Sequence, residues 1–286
     1  MRVNSKTIFK KTEEEIAFER DGFVIVDILG IEEIMKLRKL YDTYFENKED
    51  GLYVTLNQSS IQQSLEIHQK IGKIIHKSFE SVFKDFNYVL NHFIAKSNVR
   101  SEEMRLHQDW SIVDECSVQA AHIWCALQDT SADNGGLFLI KKSHTFFDNF
   151  RSGSMGITFI DRNEIINKHL VAPMLKLGQA VVYKQSLFHG SFANHSLLPR
   201  VVILSSIKHK DADWLYFDRD KLSKKKVNAY KMNPKLFLEQ LPELQKGNML
   251  VTEQPNYSFL NEQFETSNID ANLFLHKLKE STVSFK

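Results

Sequence analysis

Two cysteines, Cys116 and Cys125, occur in 286 residues, and they do not share CxxC spacing. That excludes a disulfide framework and makes a reduced, cytoplasmic setting the simpler expectation. Charge of one sign is also missing: 37 basic residues face 36 acidic ones, for a formal net charge of +1. So even a balance gives no global attraction to nucleic acid or to an anionic membrane, and neither is expected as a partner. No apolar run approaches the roughly eighteen residues a membrane helix needs. Met1-Arg2-Val3-Asn4-Ser5-Lys6 has no apolar stretch of the kind an export signal carries. A soluble, unexported chain is expected, without internal repeats or low-complexity linkers.

What is present is enough apolar mass for a substantial core, with a hydrophobic fraction of 42% and 21 phenylalanines. Thr12-Glu13-Glu14-Glu15 reads as a helix start, with Thr12 as cap and Glu15 closing a capping box. Phe23 to Val26 reads as a strand. Ile31 to Phe45 is an amphipathic helix with Ile31, Ile34, Leu37, Leu40, Tyr41 and Tyr44 on one side, and Ile61 to Val82 is another, packed outside the barrel. From Tyr88 the pattern changes to short apolar runs separated by turns: Val89 to Ala95, Val118 to Leu127, Leu137 to Ile140, Ala180 to Tyr183, Phe188 to Phe192 and Val201 to Ile207. Such a series favours a jelly roll over a parallel α/β sheet. The expected fold is mainly β with flanking helices, in one domain over residues 1–210. Residues 211–286 form a C-terminal extension packed on that core or at an interface. It contains the charged stretch Asp218 to Lys226 with its run Lys224-Lys225-Lys226, a helix from Pro234 to Leu241, and a tail with Tyr257, Phe259, Phe264 and Phe274. The basic run reads as a solvated face. Oligomeric state is left open, a homodimer included.

Chemistry concentrates in Leu106-His107-Gln108-Asp109-Trp110-Ser111 and Phe188-His189-Gly190-Ser191. On a strand, residues two apart share a face, so His107 and Asp109 can offer an imidazole and a carboxylate to one metal ion, with His189 as third ligand. Two His and one carboxylate with open positions is the ligand set of non-haem Fe(II) oxygenases. Ser191 shares the face of His189. Arg200 opens the next apolar run after the turn-like Asn194 to Pro199. If those runs form a hairpin, Arg200 lies across from the strand that carries His189. A five-carbon dicarboxylate would then chelate the metal at one end and meet the guanidinium at the other.

These residues resemble the phytanoyl-CoA dioxygenase family of Fe(II)- and 2-oxoglutarate-dependent oxygenases. The resemblance rests on His107-Gln108-Asp109-Trp110-Ser111 with Val113-Asp114-Glu115, Trp124 to Asp129, Asn134-Gly135-Gly136-Leu137, Ser143-His144, and His189-Gly190-Ser191 with Arg200 following. It covers roughly residues 15 to 210. It implies a double-stranded β-helix, iron on His107, Asp109 and His189, and 2-oxoglutarate held by Arg200, Ser191 and Trp124. Oxidative decarboxylation would release succinate and carbon dioxide, and dioxygen would be consumed in hydroxylating an unactivated C–H bond. Related halogenating oxygenases have a small residue where Asp109 stands, so the carboxylate argues for oxygenation. One departure is Lys141-Lys142 before Ser143-His144, where the family usually has Pro-Gly or Gly.

The substrate is expected to be a small metabolite or biosynthetic intermediate, since no basic stripe is evident. Ser111, Asp114 and Glu115 are candidate contacts for a polar or cationic one, with loop hydrogen bonding as their alternative role. Tyr53 and Thr55 are candidates for the pocket rim. His144 is expected to support a loop, and His122 and His195 to be structural or solvent-facing. Two other readings stay open: a cupin-like metalloenzyme that does not use 2-oxoglutarate, and a non-catalytic binding protein on a degenerate oxygenase scaffold.

Overall fold

The computed structural model describes residues 7–45, 50–147, 149–220, 222–223, 226–248, 255–260 and 271–283. In chain order these form α1 (Thr12–Asp21), β1 (Phe23–Asp27), α2 (Ile31–Tyr44), β2 (Leu52–Val54), α3 (Thr55–Gln58), α4 (Ile61–Val82), β3 (Phe86–Lys96), β4 (Met104–His107), β5 (Ala120–Ala126) and β6 (Leu137–Ile140). They continue with α5 (Glu164–Asn167), β7 (Leu170–Val171), β8 (Gln179–Tyr183), β9 (His189–Ser191), β10 (Arg200–His209), β11 (Leu215–Arg219), β12 (Lys226–Lys231), α6 (Pro234–Gln245), β13 (Tyr257–Leu260) and α7 (Ala271–Val283). Lys224, Lys225 and Phe264 lie outside the described residues.

A six-stranded antiparallel sheet in the order β1-β8-β5-β10-β3-β2 faces a four-stranded one in the order β4-β9-β6-β7. Together they make the jelly roll. Period-two alternation divides the large sheet into two buried faces. Ile123, Cys125, Ile203 and Ile207 point outward, where they meet Ile67, Ile71, Ile75 and Phe79 of α4 and Leu37 of α2. The i, i+4 spacing of those α4 residues stacks them on one stripe, and each such side chain fully buried contributes about 1.5–3 kcal/mol. Trp124, Ala126, Val181, Tyr183 and Val202 point inward toward the small sheet. Because helices cover one face and the second sheet the other, all seven residues of β5 are buried.

Three local expectations are corrected. Helix α1 begins at Thr12 with Lys11 as cap and no side-chain capping bond. Glu15 is drawn instead into tertiary contacts, where its carboxylate accepts from the Phe9 N–H and from Gln119 Nε2. Asp109 lies beyond the end of β4, its N–H donating to the Gln185 carbonyl at 2.9 Å. The runs carrying His189 and Arg200 are not a hairpin: β9 pairs with β4 and β6, while β10 pairs with β3 and β5. The segment between them crosses from one sheet to the other, so Arg200 faces the His189 strand from the opposite wall.

The departure at Lys142 has a visible backbone consequence. It adopts φ 68°, the left-handed conformation that glycine enters without a side-chain penalty. Ser143 then anchors the turn, donating to the Ile140 carbonyl and accepting from the Phe188 N–H. That fixes the residue preceding His189.

The extension packs on the same body. Trp214, Tyr216, Met232 and Leu244 share a cluster with Val89, Leu90, Ile112 and Val113, and Phe274 of α7 is fully buried against Phe146 and Phe188. No helix among the described residues is long and apolar enough to cross a membrane.

Candidate active site

His107 and His189 are direct partners across the β4–β9 pair, with ring centroids 4.5 Å apart. Cross-strand pairing brings their rings together, and the turn after β4 brings in Asp109. Its Oδ1 lies 3.6 Å from His107 Nε2 and its Oδ2 3.4 Å from His189 Nε2. One ligand atom from each of the three residues lies within 4.8 Å of the others. The tautomers suit a metal: His107 Nδ1 is 2.8 Å from the Arg105 carbonyl and His189 Nδ1 is 2.9 Å from that of Leu187. Each Nδ1 therefore carries the proton and donates it, which leaves Nε2 as the free donor atom on the shared side. Gly190 is required between His189 and Ser191, because a Cβ there would sit 2.3 Å from the Met104 carbonyl and 2.6 Å from the Phe138 ring.

Electrostatics favour the ligand state of Asp109 and His189, while His107 is held toward its protonated form. Burial opposes ionisation of Asp109, but His189, His107 and His122 outweigh it and hold the carboxyl well below its ordinary range. Burial pushes His189 down to about 4, toward the neutral form a metal needs. His107 is raised: burial works against its charged form, but the hydrogen bond and charge of Asp109 prevail. Tyr183 O–H donates to Asp109 Oδ2 at 3.3 Å, and its own ionisation is suppressed by burial and by that carboxylate.

On the opposite wall, Arg200 is buried with its guanidinium 5.1 Å from the Trp124 ring, and its Nε donates to the Gly135 carbonyl. Gly135 takes φ 83° to present that carbonyl. Arg200 is paired in register with Lys96 of β3, a second buried cation. Lys96 Nζ donates to Ser191 Oγ and to the Phe192 carbonyl, each at 2.8 Å, which links the two sheets. Among the described residues neither cation makes an ion pair of its own. Burial lowers both, with Arg200 adding to the effect on Lys96: Lys96 to about 7 and Arg200 to about 9. Glu103 opposes the shift of Lys96 from a distance, but with no acid in contact two adjacent buried cations are costly, and a carboxylate-bearing ligand lowers that cost.

A cavity of about 690 Å³ opens on the triad. His107, Asp109, Trp110 and Ser111 line it, together with Val54, Leu56 and Asn57 from the N-terminal half and Trp214, Tyr216 and Phe237 from the extension. Tyr53 and Thr55 are not rim residues. Tyr53 belongs to the outer core, and Thr55 Oγ1 accepts from the Phe93 N–H, so the intervening positions face the cavity.

Of the other expected contacts, Ser111 reaches the cavity with its Oγ held near Glu115 and the Arg151 N–H. Asp114 anchors a turn through Ser117 Oγ and the Cys116 N–H. Glu115 forms a two-pronged pair with buried Arg151, whose Nε donates to the Asp109 carbonyl at 2.7 Å. Glu115 thus braces the loop that holds Asp109, while Asp114 shapes the turn that follows it. His144 donates from Nε2 to the Glu19 carbonyl, supporting a loop, and His195 is exposed.

His122 is not solvent-facing. It lines the cavity, with Nε2 3.5 Å from Asp109 Oδ2 and Nδ1 2.7 Å from Ser206 Oγ. Lys96, His92, Arg151 and Tyr183 were not singled out by motif. A period-two pattern joining His92 to Lys96, and His122 to Trp124, is the sequence signal that would have placed them on the inward face.

A jelly roll with two His and one carboxylate at one end and buried cations behind them defines the class of Fe(II)- and 2-oxoglutarate-dependent oxygenases. The phytanoyl-CoA dioxygenase family model matches residues 18–202, and the chain belongs to that family. A phytanoyl-CoA dioxygenase from Arabidopsis thaliana is 28% identical over 177 residues, which is 54% of this chain. The match spans 60% of that relative's length. Among solved structures, the non-heme alpha ketoglutarate dependent epimerase SnoN from nogalamycin biosynthesis superposes with TM-score 0.53 at 17% identity, covering 88% of this chain and 93% of its own. EctD from S. alaskensis with bound Fe gives TM-score 0.50 at 18% identity, covering 71% and 78%. At these identities the likeness is one of fold.

Proposed function

We propose that this chain hydroxylates an unactivated C–H bond of a small molecule, using Fe(II), 2-oxoglutarate and dioxygen and releasing succinate and carbon dioxide. The observation that carries the reading is the triad His107, Asp109 and His189 facing the uncompensated cations Arg200 and Lys96. The first group would hold iron through two imidazole Nε2 atoms and a carboxylate; the second would take the far carboxylate of 2-oxoglutarate, with Ser191 and Trp124 completing its pocket. When bound, iron and co-substrate supply an oxidant able to attack an unactivated C–H bond.

The protein's own residues bind and orient. Backbone carbonyls of Arg105 and Leu187 fix the imidazole tautomers, and Tyr183, His122 and Arg151 fix the carboxylate and the loop behind it. Trp110, Trp214 and Phe237 give the cavity an apolar wall on one side. Two buried cations with no acid in contact favour a dicarboxylate co-substrate over a metalloenzyme that never uses 2-oxoglutarate. SnoN is an epimerase, so product analysis separates hydroxylation from a change of configuration.

Anaerobic addition of Fe(II) and 2-oxoglutarate is expected to give the visible charge-transfer band of a chelated 2-oxo acid. His107→Ala and Asp109→Ala each abolish it. A band of wild-type intensity in both variants overturns the assignment.

A further inference from the structure

Above the triad, the cavity has walls and a floor of different character. The walls are mostly apolar with an aromatic stretch, and their polar members, Asn57, Ser111, Ser152 and Gln245, are neutral. Trp110 meets Tyr216 and Phe237 edge-on at 5.9 and 6.4 Å between centroids, and Trp214 meets Phe237 at 5.0 Å. Packed against one another, these rings form a continuous wall and leave no gap between faces of the kind that grips a methylated ammonium. Among the described residues lining the cavity there is no Lys or Arg, and Asp109 is the one acid.

The floor is polar and belongs to the inward face of the large sheet. His92 of β3 is paired in register with Leu204 of β10, and Ser206 of β10 with His122 of β5. His122 and Ser206 satisfy each other, but His92 does not share in that exchange: its buried Nδ1 has no hydrogen-bond partner. Trp110 Nε1 is likewise buried without one. Both residues line the cavity. Buried polar atoms are almost always hydrogen-bonded, so two orphans just beneath the surface of one ligand-sized space point to side chains that a small rotation turns toward a ligand. Burial holds His92 neutral, pushed down to about 3 with His122 adding to the effect, so its ring both donates and accepts.

We propose that the substrate is a neutral, mainly apolar molecule of fused-ring size whose hydroxyl or carbonyl oxygen is read by His92 and Trp110. This rests on the oxygenase reading for its chemistry but on the cavity alone for its specificity. Anions lack a basic partner here. Cations find aromatic edges already engaged, and the one acid, Asp109, is taken up by His107, His122, His189 and Tyr183.

The test uses one ring system in four forms: 9-anthracenemethanol, 9-methylanthracene, 9-anthracenecarboxylate and (9-anthracenylmethyl)trimethylammonium. Binding to the full-length metal-free protein is read by energy transfer from tryptophan, since Trp110 and Trp214 line the cavity. The alcohol is expected to bind about 3- to 10-fold more tightly than the hydrocarbon, the worth of one buried neutral hydrogen bond. Both charged forms should bind at least about tenfold more weakly than the alcohol, since neither finds a partner for its charge. His92→Phe and Trp110→Phe each should narrow the gap between alcohol and hydrocarbon, and His92→Asn should keep part of it. Tightest binding by the carboxylate or the ammonium overturns the proposal, as does an unchanged gap in the folded phenylalanine variants. If His92→Phe does not fold, Trp110→Phe and His92→Asn decide. The charge-transfer band of the wild type separates the two readings: its absence removes the oxygenase assignment and leaves the neutral-ligand preference standing, while its presence with a reversed preference removes this proposal alone.

Discussion

Lys96 shows how much a single buried residue can reveal about a ligand. Its ordinary value of 10.5 falls to about 7 because burial penalises the charge and Arg200 lies beside it. Between about 7 and 10.5 the unfolded chain therefore holds a proton that the folded one has lost, so Lys96's contribution makes stability rise with pH across that window, and its cost is fully felt below it. A bound dicarboxylate reverses the preference and keeps the ammonium charged. Affinity for 2-oxoglutarate should be flat below about pH 7 and fall above it, by up to about tenfold per unit, because the neutral amine must be recharged on binding. Titrations of the anaerobic Fe(II) protein at several pH values check this. Lys96→Met should bind more weakly at low pH and show a flattened profile; a wild-type profile in that variant would remove Lys96 from the co-substrate site.

Among the elements, the turn at Lys142 offers a test of local strain. A side chain in the left-handed region costs about 1 kcal/mol relative to glycine. Lys142→Gly should therefore raise unfolding stability by about that amount in urea denaturation; an unchanged or lower midpoint shows that the lysine's own contacts offset the strain. The elements themselves were largely legible in the sequence. The Ile61–Val82 helix and the Leu137–Ile140 strand have the bounds their periodicity predicts, because an amphipathic stripe and a short apolar run between turns are local properties. Which strands become neighbours is not local. Pairing of β3 with β10 and of β10 with β5 joins residues far apart in sequence, so His92, Lys96 and His122 looked like ordinary polar residues until the sheet placed them beside Leu204, Arg200 and Ser206. The triad and Arg200 were legible because characteristic neighbours surround them. The expected hairpin failed because closeness in sequence was read as closeness in the sheet.

For the whole molecule, the C-terminal extension behaves as part of the core. Trp214, Leu215, Tyr216, Phe237, Leu241 and Gln245 line the cavity, and Phe274 fills a space between Phe146 and Phe188, next to the strand that carries His189. Phe274→Ala should lower stability by about 3–5 kcal/mol, with a single transition retained. A change below about 0.5 kcal/mol, the range of ordinary surface substitutions, would show that α7 contributes little to the fold.

Strand β3 carries His92 and Lys96 four residues apart on one face, the first at the large cavity and the second behind the triad. Side-chain replacement at either position leaves the other in place, so a change in what the cavity accepts can leave the buried cation behind the triad undisturbed. Length changes have no such freedom. One residue inserted or deleted between the two would turn one of them out of the barrel. Diversification of this lineage is therefore expected to run through point substitutions in β3, with insertions confined to the loops at its ends.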